Sequence, residues 1–358
     1  MNSAEPPTRL RAEYDARMQA RIVRRVPLHY AEGANVAIDR PAHVRAASGL
    51  AWVGSKLAVI QDDANFIALV DPVSGQTNAL ALPAGALGKR LFDDERGNKR
   101  DKLDFESLVS ATLLDGTTAL LAFGSGSQRR REQIAIVDVT SGRSVRLIHG
   151  QALYAALRDC ENFAGSELNI EGAVFLGEQV RLFGRGNGDI STGVVRVNAT
   201  CDLNWARLLA YLDNPSETAP PGPTNVMQFE LGELAGTRIT FTDAAVCDNE
   251  TAHAPGTMLY TGTAEASPDV VRDGVVQGSV VGIISESLGR TTARYTEIQD
   301  THGGIARAKV EGIVPGDFER GQVYVVVDAD DHRQPGELWE LKFTDSYHHV
   351  FQESVLQG

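Results

Sequence analysis

The sequence is poor in cysteine and aromatics, has no long apolar run and carries no excess of basic charge. Each absence narrows what it can be. Its three cysteines, Cys160, Cys201 and Cys247, are odd in number and far apart. They offer neither a metal-knuckle spacing nor a disulfide framework, so buried free thiols are the expectation. No window approaches the roughly 20 apolar residues of a membrane helix. Met1 to Arg25 is charged and lacks the apolar centre of a secretory signal, which makes the cytoplasm the expected compartment. The formal net charge of −13 argues against a nucleic acid or an anionic membrane as partner, since both call for a basic face.

What is there describes a soluble globular chain: 358 residues, 42% hydrophobic and 23% charged, with 35 glycines that imply many turns. Its organising feature is a repeated stretch. Lys102-Leu103-Asp104-Phe105-Glu106-Ser107-Leu108-Val109 returns as Glu167-Leu168-Asn169-Ile170-Glu171-Gly172-Ala173-Val174 and as Ala308-Lys309-Val310-Glu311-Gly312-Ile313-Val314. An acidic residue ends a short polar/apolar alternation, a small residue follows, and an apolar run begins. Weaker copies lie at Ala47–Trp52 and Phe241–Val246. A fixed recurrence of this kind is the sequence signature of a repeat architecture.

From Ser48 onward the units read strand, turn, strand, polar loop, strand, turn, strand, with Gly54-Ser55, Asp115-Gly116 and Ser141-Gly142 as hairpin signals. In the third unit the expected strands are Gly172–Leu176, Val180–Phe183 and Val194–Asn198. The anchors Gly49, Glu106, Glu171, Asp243 and Glu311 lie 57, 65, 72 and 68 residues apart, wider than the about 40–50 of compact propeller repeats. Four-stranded units in series predict an all-β fold, a β-propeller. Five blades are favoured. A sixth is an alternative in Cys201–Gly236. Residues 1–21 read as an N-terminal extension, helical or disordered, and 22–358 as a single propeller domain, with Ile22–Leu28 as a closing strand for the last sheet.

In a blade, the start of strand one and the exit of strand two lie on one face, and both are polar here. Ser48, Glu106, Glu171, Asp243 and Glu311 stand at strand-one starts. Asp62 and Asp63, Arg129 to Arg131, Arg185 and Asn187, Glu265, Asp328, Asp330 and Asp331 stand at strand-two exits. Four carboxylates are thereby expected to ring a channel mouth. Crowded like charges need pairing or a metal. A hard divalent cation such as calcium, taking oxygen ligands, is one solution, with Glu106, Glu171, Asp243 and Glu311 as ligands. Inward Lys102, Lys309, Arg130 and Arg185 are another. Locking of neighbouring blades through backbone amides, or plain solvated charge, are the structural alternatives. Gly124–Ser127 beside Arg129–Arg131, and Gly184-Arg185-Gly186-Asn187-Gly188, expose backbone N–H groups that suit an anionic ligand. His302, leading into the last glutamate strand, is a candidate general base. No Gly-x-Ser-x-Gly elbow surrounds Ser107, and no calcium loop of EF-hand spacing is present.

The polar-x-Glu-Gly/Ser repeat, with Asp104, Asn169 and Lys309 as the polar residue, and Gly-Arg-Gly-Asn-Gly at a strand-two exit resemble the phytase-like ("esterase-like activity of phytase") propeller group over residues 40–350. The resemblance implies a channel-mouth site and phosphoester or carboxylester hydrolysis. More distantly the arrangement is similar to calcium-dependent gluconolactonase-type propellers, which mix Glu, Asn and Asp where this chain has four carboxylates and Ser48. The expectation is a hydrolase of a small, anionic ester, lactone or phosphoester. Glu171, Glu106 and His302 are its catalytic candidates. Arg130, Arg185, Asn187, Lys309 and Asp62 bind substrate, and a divalent cation assists. The alternatives are a non-catalytic propeller binding a small molecule or protein, and a metal-free lyase or isomerase working through the same carboxylates.

Overall fold

The computed structural model describes residues 7–113, 116–139, 144–186, 193–247, 256–266, 274–287 and 289–345. The chain opens with three strands that complete sheets built from later sequence: β1 (Thr8–Arg11), β2 (Glu13–Tyr14) and β3 (Gln19–Pro27). The first sheet is a simple antiparallel run of β4 (Ala47–Val53), β5 (Lys56–Gln61), β6 (Phe66–Val70) and β7 (Thr77–Ala81). The second repeats it with β8 (Phe105–Thr112), β9 (Thr118–Gly124), β10 (Gln133–Asp138) and β11 (Val145–His149). Helices α1 (Gln151–Asp159) and α2 (Glu161–Ala164) then lead to the third sheet, β12 (Ile170–Phe175), β13 (Gln179–Gly184), β14 (Asn198–Asn204) and β15 (Thr224–Glu230). Helix α3 (Trp205–Asp213) joins its last two strands, and β1 pairs in parallel on β15.

After the short β16 (Glu233–Leu234) come β17 (Thr237–Val246), β18 (Thr257–Ala266), β19 (Val275–Ser287) and β20 (Arg290–Gln299), with β2 alongside β20. The final group is β21 (Lys309–Pro315), β22 (Gln322–Asp328), β23 (Glu337–Thr344) and then β3, which also touches β20 and so joins the last two groups into one sheet. The architecture is mostly β, in four-stranded units that fit propeller blades. The expected closing strand at Ile22–Leu28 is β3, antiparallel to β23.

The inner strands pack in sequence: β4 on β8, β8 on β12, β12 on β17, β17 on β21, and β21 on β4. Apolar side chains alternate to both faces of each sheet, so the core is a set of layers between neighbouring sheets. Ile60 and Leu69 meet Leu108 and Leu120. Leu121 and Phe123 meet Leu182 and Leu203, beneath α1 and α3. Phe183 and Phe229 meet Phe241 and Tyr260. Leu259 and Ile283 meet Ile313 and Val325, and Val314 and Val326 meet Leu50 and Val59. None of the three cysteines is disulfide-bonded; Cys201 and Cys247 are buried and Cys160 is half-buried.

Three expectations need correction. Thr8–Arg11, Glu13–Tyr14 and Gln19–Pro27 are strands rather than a helical or disordered lead-in. Their short alternating pattern gains partners only from distant sequence. The third strand of the third sheet is Asn198–Asn204, later than Val194–Asn198. The apolar Leu208–Leu212 run, read as material for a sixth blade, belongs to α3, whose Asn204 side chain caps the helix by accepting from Arg207 N–H. The expected turn at Ser141-Gly142 lies outside the described residues, as does Asp115. Among the described residues no helix is long and apolar enough to cross a membrane.

Candidate functional site

Every inner strand carries a one-residue register shift at the same level. The extra residue is Ser48 in β4, Glu106 in β8, Glu171 in β12, Thr242 in β17 and Glu311 in β21. A bulge re-aims the side chain it carries, and here three of the five are glutamates. The next residue has little room. A Cβ on Gly172 would lie 3.1 Å from Asp243 Cα and 3.1 Å from Ala244 N, and one on Gly312 would lie 2.9 Å from Leu50 Cβ. The repeated acid-then-small pair is therefore a packing rule of the bulge.

Two ionic clusters stand at this level. In the first, Lys102 Nζ lies 2.6 Å from Asp62 Oδ2 and 2.6 Å from Asp104 Oδ1. Arg131 Nη1 reaches Asp104 Oδ2 at 2.8 Å, and the Ser125 hydroxyl donates to the same oxygen at 2.5 Å. Asp62, Asp104 and Glu106 offer carboxylate oxygens within 4.8 Å of one another. Glu106 is partly open to solvent and makes no hydrogen bond or ion pair with a described residue.

In the second cluster, Asn169 Nδ2 donates to Glu171 Oε1 at 2.6 Å, and Arg185 Nη1 stands 3.5 Å from that oxygen. Arg185 also donates to Glu265 Oε2 at 2.9 Å and to Thr240 Oγ1 at 3.1 Å. Lys309 Nζ lies 3.2 Å from Glu311 Oε1, 3.5 Å from Asp328 and 3.3 Å from Asp330. Asn169 and Lys309 each sit two residues before their glutamate, where period-two alternation returns a side chain to the same face.

Carboxylates outnumber cations in both clusters, and burial penalises charge. Burial, opposed by Arg185 and reinforced by Glu311, pushes the Glu171 carboxyl up to about 8. Burial likewise pushes Glu311 to about 7 despite Lys309 and Arg185, and Asp328 to about 7 despite Lys309. Burial together with Asp104 and Asp62 drives Glu106 well above the usual carboxylate range. Lys102, although burial favours its neutral form, is held charged by Asp104 and Asp62.

The expected site residues divide. Glu106 and Asp62 meet in the first cluster, and Glu171, Glu311, Arg185 and Lys309 in the second. Asp243 does not join the ring. The bulge of β17 falls on Thr242, so Asp243 takes the position that glycine or serine fills elsewhere. Its Oδ2 accepts from Ile313 N–H at 3.0 Å and Leu50 N–H at 3.4 Å, and burial drives its carboxyl well above the usual range. Arg130 points to the rim, paired with Asp101 and half exposed; its neighbour Arg131 turns inward instead. His302 is exposed in the Asp300–Gly304 turn, and its ring makes no hydrogen bond to the carboxylates. Asn187 lies outside the described residues.

Among the described residues, N–H groups of the glycine loops are already used within the fold. Ser125 N–H donates to Asp104 O, Gly126 N–H to Arg131 O, Arg185 N–H to Asn169 O and Gly186 N–H to Asn198 Oδ1. The residues that sequence reasoning undervalued are Asp104, Asn169 and Arg131. For the first two the signal was present, as the polar residue two before each glutamate.

The family model described as a family of unknown function (DUF6929) matches residues 43–343. The chain belongs to this family. Among curated proteins none matches. Solved structures similar to this DUF6929 chain include the PQQ-bound aldose sugar dehydrogenase of Streptomyces coelicolor, 13% identical with a TM-score of 0.38, covering 92% of this chain and 100% of that one. A protein described as a gluconolactonase is 11% identical with a TM-score of 0.38, covering 93% and 94%. A protein of Bacteroides ovatus described as a glycoside hydrolase is 10% identical with a TM-score of 0.40, covering 86% and 89%. At these TM-scores the likeness says nothing of the chemistry of this chain.

Proposed function

We propose that this chain is a five-bladed β-propeller hydrolase that acts on a small ester, lactone or phosphoester at the acidic end of its inner strands. The observation that carries the reading is Glu171. It is a buried carboxyl held by Asn169 and Arg185, with a pKa of about 8, beside an oxygen-rich cluster suited to a hard cation. A general base is most effective when its pKa lies near the working pH.

The three carboxylates Asp62, Asp104 and Glu106 fit a divalent cation by donor type and mutual distance. These residues replace the four expected as ligands, of which only Glu106 is in the cluster. Calcium or magnesium bound there would polarise the substrate carbonyl or phosphoryl oxygen. Glu171 takes the proton of the attacking water. Arg185, tied to Glu265 and Thr240, fixes the orientation of Glu171, and Lys309 fixes that of Glu311.

The test is Glu171→Gln against a panel of esters, lactones and phosphoesters. Hydrolysis should fall by about 100-fold or more, with the melting temperature at pH 7 not lowered. A drop of many degrees instead assigns Glu171 to inter-blade locking. A metal-free acid–base reaction is the second reading, favoured by the presence of Lys102 among the same carboxylates. Turnover that survives chelation selects it.

A further inference from the structure

The first cluster already contains a cation. Lys102 Nζ sits 2.6 Å from an oxygen of Asp62 and 2.6 Å from one of Asp104, and both belong to the three-carboxylate set that spans 4.8 Å. Asp104 Oδ1 is shut off from solvent, and the ammonium is its one close partner among the described residues. A calcium ion at about 2.3–2.6 Å from its oxygens falls inside the same span. Two cations so close repel strongly in a partly buried site. Glu106 is the third member, and its carboxylate has no hydrogen-bond or ion-pair partner among the described residues. The ammonium thus pairs closely with two of the three carboxylates and leaves the third open.

We propose that Lys102 is a tethered competitor for the divalent cation, so that metal enters the Asp62–Asp104–Glu106 cluster as the ammonium leaves it. The inference rests on the metal-assisted reading above. A lysine suits the part, being a compact, strongly hydrated charge on a flexible stem. Lys102 directly follows the 3-10 turn Lys99–Asp101, and its side chain is 11% exposed. With the ammonium in place the carboxylates are not left as bare repelling charges, and the fold does not depend on metal.

Two measurements on the full chain test this. Calorimetric titration with calcium or magnesium chloride compares the wild type with Lys102→Met. Competition predicts at least about tenfold tighter binding in the variant. In the wild type, amine acylation read by mass spectrometry should show Lys102 labelling rising several-fold when metal is added. Metal binding that is equal or weaker in Lys102→Met, with unchanged labelling of Lys102, overturns the competition and leaves the metal reading standing. Binding to neither protein overturns both, and binding to the variant alone overturns the exchange, because metal then never displaces the ammonium of the wild type. Should Lys102→Met not fold, the wild-type labelling decides: a rise supports the proposal, and no rise under saturating metal overturns it.

Discussion

Asp243 Oδ2 accepts from the backbone N–H of Ile313 at 3.0 Å, joining β17 to β21, and the same oxygen reaches Leu50 of β4 at 3.4 Å. One fully buried carboxyl thus ties three inner strands. Asp243→Asn keeps an acceptor and should cost under about 1 kcal/mol, whereas Asp243→Ala strands buried N–H groups and should cost about 1–3 kcal/mol. Urea unfolding measures both. An alanine variant as stable as wild type would remove the tie.

Stability should fall as pH rises through neutrality. Glu171, Glu311 and Asp328 have folded-state values of about 8, 7 and 7 against ordinary values of 4.5, 4.5 and 3.8. The folded state therefore binds more protons than the unfolded state between about pH 4 and 8, and the stabilisation present at the acid end is lost across that window. Melting curves at pH 5 and pH 8 should show the loss, and Glu171→Gln should shrink it.

Arg130 and Arg131 are neighbours with opposite consequences. Arg131→Ala removes a charged partner from buried Asp104 and should destabilise by about 1–3 kcal/mol. Arg130→Ala loses only the exposed pair with Asp101 and should change stability by less than about 0.5 kcal/mol. Equal effects in denaturant titrations would contradict the assignment of the inward arginine.

The glycines that follow a bulge, Gly49, Gly172 and Gly312, should resist enlargement. Gly312→Ala places a Cβ 2.6 Å from Val326 Cγ2 and 2.9 Å from Leu50 Cβ, an overpacking that costs about 1–3 kcal/mol. Thermal unfolding of the variant, set beside Gly222→Ala, where a Cβ meets nothing within 4 Å, separates crowding from general intolerance of alanine.

The repeat was legible because three of the five bulges carry the same pair, a glutamate re-aimed as the extra residue and a small residue against the next inner strand. The partners two residues earlier were legible too, as alternation dictates. The fourth unit misled: Asp243-Ala244 matches the pattern, yet the bulge falls one residue earlier, on Thr242, and hydrogen-bond register across strands is not written in local sequence. Arg130 and Arg131 stand side by side in one 3-10 turn yet pair with different carboxylates, Asp101 and Asp104, so in sequence Arg131 was indistinguishable from Arg130. The early strands were hidden because β1, β2 and β3 pair with residues hundreds of positions away.

That distant pairing sets the order of events in folding. β3 belongs to the first residues described, and its partner β23 to the last. During synthesis β3 must wait, with both edges unpaired, until nearly the whole chain has emerged, and such non-local closure is slow. The edges it fits, on β23 and β20, appear only with the last residues. In a crowded solution the waiting β3 of one chain fits the open edge of another, so exchange of this strand between copies is the natural misassembly of the fold.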